Sequence, residues 1–325
     1  RTGFDDGRLY MLDENPDDWT GSHSAQLIDG LAAGGINTLY ERLDGRMPLA
    51  ANWPDAARAG QKRFVDGLKA LHEARLLHDF EPSKLDYVGE HGDEPILVVQ
   101  GPPGTGKSYS TAFAILSRLQ GAMDAGIPFR VVISCHTHAA IDVLLDKIVE
   151  VQQQIADLIA GHPAIAGQYF RSDLSDVPIY RLKPGDEPKP PIVPLPPMSK
   201  PDHSAAAYWN QVERDQYCIA GGTPLAVRWL VVGNHKKDGM LGKTLYQCLI
   251  IDEASQMTLP LAMLAALALA PDGQLIAVGD HRQMPPIIKH DWANERRRTL
   301  QEYRTYASLF ETLQALGGPA VRFSR

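Results

Sequence analysis

Cysteine is scarce: Cys135, Cys218 and Cys248 are the only 3 in 325 residues, far apart and each in an apolar stretch. They can build neither a disulfide framework nor a zinc quartet, and a reducing cytoplasm is the expected setting. A basic surplus is missing too. Lys and Arg total 32 against 39 Asp and Glu, a net charge of −7, so the chain as a whole advertises neither nucleic acid nor an anionic membrane. Any attraction to phosphates must be local. The longest apolar run, Leu259 to Ala270, falls short of the ~20 residues that cross a membrane and contains Pro260. It is expected to be a buried helix, with no membrane partner. The chain begins at Arg1 on a polar, acidic stretch, and is expected to be a piece of a longer protein rather than to open on a leader.

What is present suits a globular chain with a full-sized core, 44% hydrophobic and 22% charged. Residues 1–94 read as a mainly helical lead-in, with periodic apolar positions such as Phe64, Leu68 and Leu71. From Pro95 the texture changes. Ile96-Leu97-Val98-Val99, Val131-Val132-Ile133, Leu249-Ile250-Ile251 and Leu275-Ile276-Ala277-Val278 are short continuous apolar runs, as expected of strands covered on both faces of a parallel sheet. Helical stretches between them argue for a doubly wound α/β domain over 95–150 and 218–325. Between these parts, 151–217 reads as an insertion. Its Pro184, Pro188, Pro190, Pro191, Pro194, Pro196, Pro197 and Pro201 exclude regular helix or central strand and suggest a stiff surface loop.

The strongest chemical signal is Gly101-Pro102-Pro103-Gly104-Thr105-Gly106-Lys107-Ser108, which fits G-x-x-x-x-G-K-[ST] between a strand and a helix. Its glycines let backbone N–H groups turn toward phosphates, and the helix that follows offers its positive end to the same charge. Lys107 would neutralise the β and γ phosphates of ATP while the Ser108 hydroxyl holds Mg²⁺. A turn that merely caps a helix has no use for a lysine there. A second strand ends in Asp252-Glu253-Ala254-Ser255-Gln256: Asp252 suits the Mg²⁺ shell, and Glu253 can orient or deprotonate the attacking water. A third ends in Gly279-Asp280-His281-Arg282-Gln283-Met284-Pro285-Pro286, where the neutral amide of Gln283 can report on the γ phosphate.

These three strings, in this order and with Gln100 preceding the first, resemble motifs I, II and III of superfamily 1 helicases. The match is closest to the 5′-to-3′ branch that includes the nonsense-mediated-decay and Okazaki-fragment-processing helicases. Ser134-Cys135-His136-Thr137-His138-Ala139-Ala140-Ile141-Asp142 resembles motif Ia, Ala220-Gly221-Gly222-Thr223-Pro224 resembles motif Ic, and Ser308-Leu309-Phe310-Glu311-Thr312-Leu313 resembles the segment after motif III. The resemblance implies a RecA-like P-loop NTPase fold, a parallel sheet flanked by helices, and an ATP-dependent helicase or translocase. It implies a single-stranded nucleic-acid partner, DNA favoured over RNA, touched by Thr137, His138, Thr223 and Arg282. The family's second RecA-like domain, whose arginines reach the γ phosphate, does not appear in the sequence. Such an arginine is worth ~10³–10⁵ in rate, so the isolated chain is expected to hydrolyse ATP weakly.

Several residues stay outside the resemblance. Gln61 is expected to be a surface helix glutamine rather than a reader of adenine. Trp209 and Trp229 could stack on bases, with buried packing the expected fate. Arg296-Arg297-Arg298 with Lys289 and Arg304 is the one dense basic patch, either a phosphate track or a solvated face offsetting Glu295 and Glu302. Two alternatives remain open: a P-loop phosphotransferase acting on a small molecule, and a regulatory nucleic-acid-binding module switched by ATP.

Overall fold

The computed structural model describes residues 19–46, 51–183, 186–195, 205–234, 240–286 and 307–324. The acidic start, much of the proline-rich segment and the basic patch 289–304 lie outside the described residues. Helices α1 (Trp19–Ala32), α2 (Thr38–Leu43), α3 (Asp55–Glu73) and α4 (Pro82–Gly89) precede β1 (Ile96–Gln100) and α5 (Lys107–Ala125). Then follow β2 (Phe129–Ser134), α6 (His138–Gly161), α7 (Ala166–Tyr169), β3 (Ile179–Leu182), β4 (Val193–Leu195) and α8 (Ala205–Arg214). The chain closes through β5 (Tyr217–Gly222), α9 (Pro224–Asn234), β6 (Tyr246–Ile251), α10 (Leu259–Ala265), β7 (Leu269–Gly279), α11 (Leu309–Ala315) and β8 (Ala320–Arg322).

Among the described residues the strands form one 8-stranded sheet in the order β4-β3-β5-β2-β6-β7-β1-β8. Every pairing is parallel. All four apolar runs singled out in the sequence are strands of this sheet. Their period of two sorts side chains between two cores. Leu97, Val99, Val131, Ile133, Ile250 and Val278 meet α3 through α6, with Phe64 and Phe113 at the centre. Val98, Val132, Leu249, Ile251, Leu275 and Ala277 meet α1, α2 and α8 through α11. Because the sheet is parallel throughout, every strand delivers its following loop to one edge, where ligands of such sheets bind.

The structure departs from expectation at four places. The apolar run 259–270 is not one helix: α10 stops at Ala265 and β7 starts at Leu269, which pairs with Tyr246. A run apolar on every side carries no period to mark that break, and strand pairing decides it. The boundary expected at 151 falls inside α6, which continues to Gly161, and β3 and β4 extend the same sheet. Pro194 is tolerated because β4 is the outermost strand. Gln61 is not on the surface; it accepts from Trp53 Nε1 at 2.6 Å and donates to the Val88 carbonyl at 3.1 Å, knitting α3 to α4. Trp209 is buried as expected, whereas Trp229 is not.

Arg42 shows how the lead-in is fastened. This buried side chain on α2 donates to the carbonyls of Pro95, Pro271 and Gly273, at the amino ends of β1 and β7. Burial lowers its guanidinium to about 10. The lead-in thereby braces the edge of the sheet opposite the phosphate loop.

Candidate functional site

β1 ends at Gln100, paired with Gly279 at the end of β7, so the loop after β1 and the loop after β7 leave the sheet side by side. Gly104 (φ 81°) and Gly106 (φ 78°) take left-handed backbone that a Cβ disfavours, and this curls the loop. At Gly101 a Cβ would lie 2.7 Å from Thr105 Oγ1, which itself donates to the Pro102 carbonyl at 2.8 Å. Gly106 caps α5 with no side-chain hydrogen bond, leaving the first N–H groups of a 19-residue helix for an anion. Lys107 Nζ bridges the mouth of this loop, donating to the carbonyls of Gly101 at 2.6 Å and Pro102 at 3.2 Å. Burial lowers its pKa, and the carboxylates of Asp252, Asp280 and Glu253 act against that shift. The ammonium therefore faces acids from two neighbouring loops.

Those acids are set by the turns that carry them. Ile251 lies beside Ala277 on β7, one strand away from β1, so Asp252 emerges about 10 Å across the sheet from the phosphate loop. Asp252 N–H donates to the Ser134 carbonyl at 3.1 Å, holding the acid pair to the end of β2. Glu253 adopts φ 53°, a left-handed conformation costing about 1–3 kcal/mol in a non-glycine residue, and its N–H donates to Asp252 Oδ1 at 2.9 Å. Asp252 is buried, and burial raises its carboxyl to about 6; the Glu253 charge adds to this, while the Glu253 N–H and Lys107 oppose it. Ser108 and Asp252 offer only oxygen donors, and a buried carboxylate offset among the described residues by Lys107 alone suits a hard divalent cation.

Between the ordinary value of 3.8 and about 6, folded Asp252 keeps a proton that the unfolded chain has released, so its contribution falls as pH rises through this window. At neutral pH the buried charge is a burden. Asp252→Asn should raise the metal-free Tm at pH 7.5 by several degrees and leave it nearly unchanged at pH 4, as followed by thermal melting.

The third loop is a tight turn organised by the buried carboxyl of Asp280, whose Oδ1 accepts from Arg282 N–H at 3.0 Å. The Gln283 N–H donates to the Asp280 carbonyl at 3.0 Å, leaving the Gln283 side chain half-buried near the same edge. One connection escaped the sequence reading. The Gln100 amide contacts His281 Nδ1 at 2.6 Å and accepts from Gln314 Nε2 at 3.1 Å, so it ties the end of β1 to the β7 loop and to α11. No periodicity or spacing announces it. Beside this bridge, a cleft of about 580 Å³ is lined by Gln100, His281, Arg282, Gln314 and Arg322.

The outer candidates form a second group. Ser134 on β2 pairs with Gly222 on β5, so Thr137 and Thr223 follow neighbouring strands. Each hydroxyl caps a helix: Thr137 Oγ1 accepts from Ala140 N–H at 3.2 Å on α6, and Thr223 Oγ1 accepts from Ala226 N–H at 3.3 Å on α9. Both remain free to donate outward. The exposed His138 contacts fully buried Arg181 through Nδ1 at 2.9 Å, and Arg181 also holds Asp142 at 2.5 Å. Burial and then Arg181 lower the His138 imidazole. Arg282 is exposed at the nucleotide end, apart from these three. The structure thus gathers Gly101–Ser108, Asp252, Glu253 and Gln283 at one end of the edge, with Thr137, His138 and Thr223 at the other.

A parallel sheet whose phosphate loop, paired acids and third-strand glutamine share one edge defines a P-loop nucleotide-binding domain of the RecA-like kind. A family model described as "AAA domain" matches residues 86–289, more than half of the sequence, and the chain belongs to that family, as a RecA-like motor domain of the superfamily 1 helicase type. It is 25% identical over 297 residues to a Drosophila melanogaster protein described as "Regulator of nonsense transcripts 1 homolog". That match takes in 86% of the chain but only 22% of the relative's length. A solved structure described as "Complex structure of Arterivirus nonstructural protein 10 (helicase) with DNA" aligns with 70% of the chain and 35% of its own, at 15% identity and a TM-score of 0.31. Members of this helicase class bind nucleotide together with a divalent metal. Among the described residues no helix is long and apolar enough to cross a membrane.

Proposed function

We propose that the chain is the ATP-binding and ATP-hydrolysing domain of a translocase that moves on single-stranded nucleic acid and works with a second RecA-like domain of the same parent. The observation that carries this reading is the convergence on Lys107 of the acids from the loops after β6 and β7. In this reading the backbone of Gly101–Gly106 and the first turn of α5 hold the phosphates, and Lys107 leaves its loop carbonyls to pair with the β and γ groups. Ser108 and Asp252 hold Mg²⁺, which when bound neutralises charge on the phosphate oxygens. Glu253 takes the proton of the water that attacks the γ phosphorus as the bond to the β-phosphate oxygen breaks. Gln283 hydrogen-bonds the γ group and, through a loop tied to Gln100 by His281, registers whether it is present.

Thr137, His138, Thr223 and Arg282 would touch the phosphates of a strand lying along the same edge, positioning it without reading sequence. The test is phosphate release from ATP, measured with and without single-stranded DNA or RNA and compared with a panel of small hydroxyl acceptors. Release stimulated by the strands, with no phosphorylated acceptor formed, is expected. Transfer to a small acceptor would establish the phosphotransferase instead. The second domain is expected to supply an arginine worth ~10³–10⁵ in rate, so release by the chain alone should be slow and still strand-dependent.

A further inference from the structure

Helix α9 puts Val227, Leu230 and Val231 into the core, at 0%, 2% and 0% exposure, yet leaves its largest side chain, Trp229, 36% exposed. An indole left in water on a helix that buries its aliphatic neighbours needs a reason, and the charges around it supply one. Lys183, exposed at the end of β3, places Nζ 5.7 Å from the Trp229 ring centroid, and Arg228 places its guanidinium carbon 5.7 Å from it. Arg228 is 6% exposed, donates to Gln26 at 3.1 Å, and its Nε has no hydrogen-bond partner among the described residues. Its pKa is lowered by burial, and among the described residues no acid acts on it.

This cluster is continuous with the strand end of the functional edge. Lys183 follows Arg181 by two residues, and Arg181 contacts His138. Behind burial and Arg181, Lys183 also helps hold the His138 imidazole low, against the pull of Asp142. Thr223 opens the helix that carries Trp229. The only acid that the structure brings against these cations among the described residues is Asp142, and Arg181 already engages it. A flat apolar face beside uncompensated positive charge calls for a ligand with a flat face and regular negative charge. A peptide segment with acidic side chains would satisfy the charge but not the indole face; one nucleotide satisfies both.

We propose that Trp229 is a stacking platform for a base of the bound single strand, with Lys183 pairing the adjacent phosphate and Arg228 holding the indole in place. The proposal rests on the strand-handling reading given above and extends the strand path beyond Thr137 and Thr223, past the ends of β5 and β3. Stacking on an aromatic ring and pairing with a phosphate ignore both base identity and the 2′-hydroxyl, as a motor stepping along any strand requires.

The test is fluorescence anisotropy of labelled oligothymidylate and oligouridylate about twelve nucleotides long, titrated with the full chain at several salt concentrations. Trp229→Ala should weaken both strands about tenfold and leave the salt slope unchanged, because stacking carries no counterion. Trp229→Phe should recover most of the loss. Lys183→Gln should weaken both strands and reduce the salt slope by about one. An abasic strand of equal length should bind wild type and Trp229→Ala equally, an outcome that a merely structural tryptophan would not produce. Nucleotide binding, followed separately, should be unaffected in all three variants. Wild-type binding of the strand that survives Trp229→Ala undiminished, or a loss shared by the abasic strand, would overturn the platform and spare the strand-handling reading. A wild-type chain that binds neither strand would overturn that reading and the platform together.

Discussion

Lys107→Ala should all but abolish nucleotide binding, lowering affinity for ATP by at least about 30-fold while leaving the chain folded. Lys107 is the cation that acts on Asp252 among the described residues, and it sits against three carboxylates, Asp252, Asp280 and Glu253. Without it the mouth of the loop is more negative, and a triphosphate entering it meets repulsion that the backbone N–H groups oppose without help from a lysine. Truncating one partner of a half-buried charged contact costs about 2–5 kcal/mol, which spans roughly 30-fold to several thousand-fold in affinity. The fold has little at stake, since among the described residues the ammonium donates only to the carbonyls of Gly101 and Pro102, and the curl of the loop belongs to Gly104 and Gly106. Titration with a fluorescent ATP analogue, with a thermal melt as the folding control, checks both halves. Affinity within threefold of wild type would remove Lys107 from the phosphate site.

The parts of this site that were legible in the sequence are those where chemistry constrains a residue locally. Left-handed backbone at Gly104 and Gly106 favours glycine, an anion at a helix start favours a cation nearby, and strands covered on both faces favour unbroken apolar runs such as Ile96–Val99. Position along the chain then sufficed to place three loops on one edge, because parallel strands joined by helices have no other way to emerge. What stayed hidden depends on distant partners. Nothing near Gln61 foretells that Trp53 and Val88 will close over it, and nothing near Gln100 foretells His281 and Gln314. Trp229 lies in Leu225-Ala226-Val227-Arg228-Trp229-Leu230-Val231-Val232, so apolar on every side that periodicity cannot say which residue faces out. The split of 259–270 into helix and strand was invisible for the same reason.

The local turn at the acid pair joins the two kinds of information. Asp252 and Glu253 are adjacent in sequence, yet one is buried with its carboxyl raised to about 6 and the other is half-buried on left-handed backbone. Adjacent residues on an extended strand would point to opposite faces. The turn at Glu253 is what brings both carboxylates within reach of Lys107. Part of the strain there is held by the 2.9 Å bond from the Glu253 N–H to Asp252, so the two acids position each other while facing different tasks.

Glu253→Gln separates those tasks. In a parent that carries the second RecA-like domain, this variant should keep ATP affinity within about threefold of wild type and lose turnover by roughly 10²–10⁴-fold, the usual range for removal of a general base. Glutamine has the same shape and the same cost at φ 53°, and its backbone N–H still reaches Asp252, so the turn and the metal-facing carboxylate persist. Only the oxygen that accepts the water's proton is lost. Removing a negative charge beside the triphosphate should, if anything, tighten binding, which gives affinity and turnover opposite signs; a damaged fold would lower both. Strand binding in the presence of ATP should be retained, because the closed state forms and cannot be discharged. Steady-state phosphate release paired with nucleotide titration reads the two effects on one preparation. Turnover that survives the change would contradict the role assigned to Glu253 and point to Asp280, the next carboxylate facing Lys107, as the group that activates water.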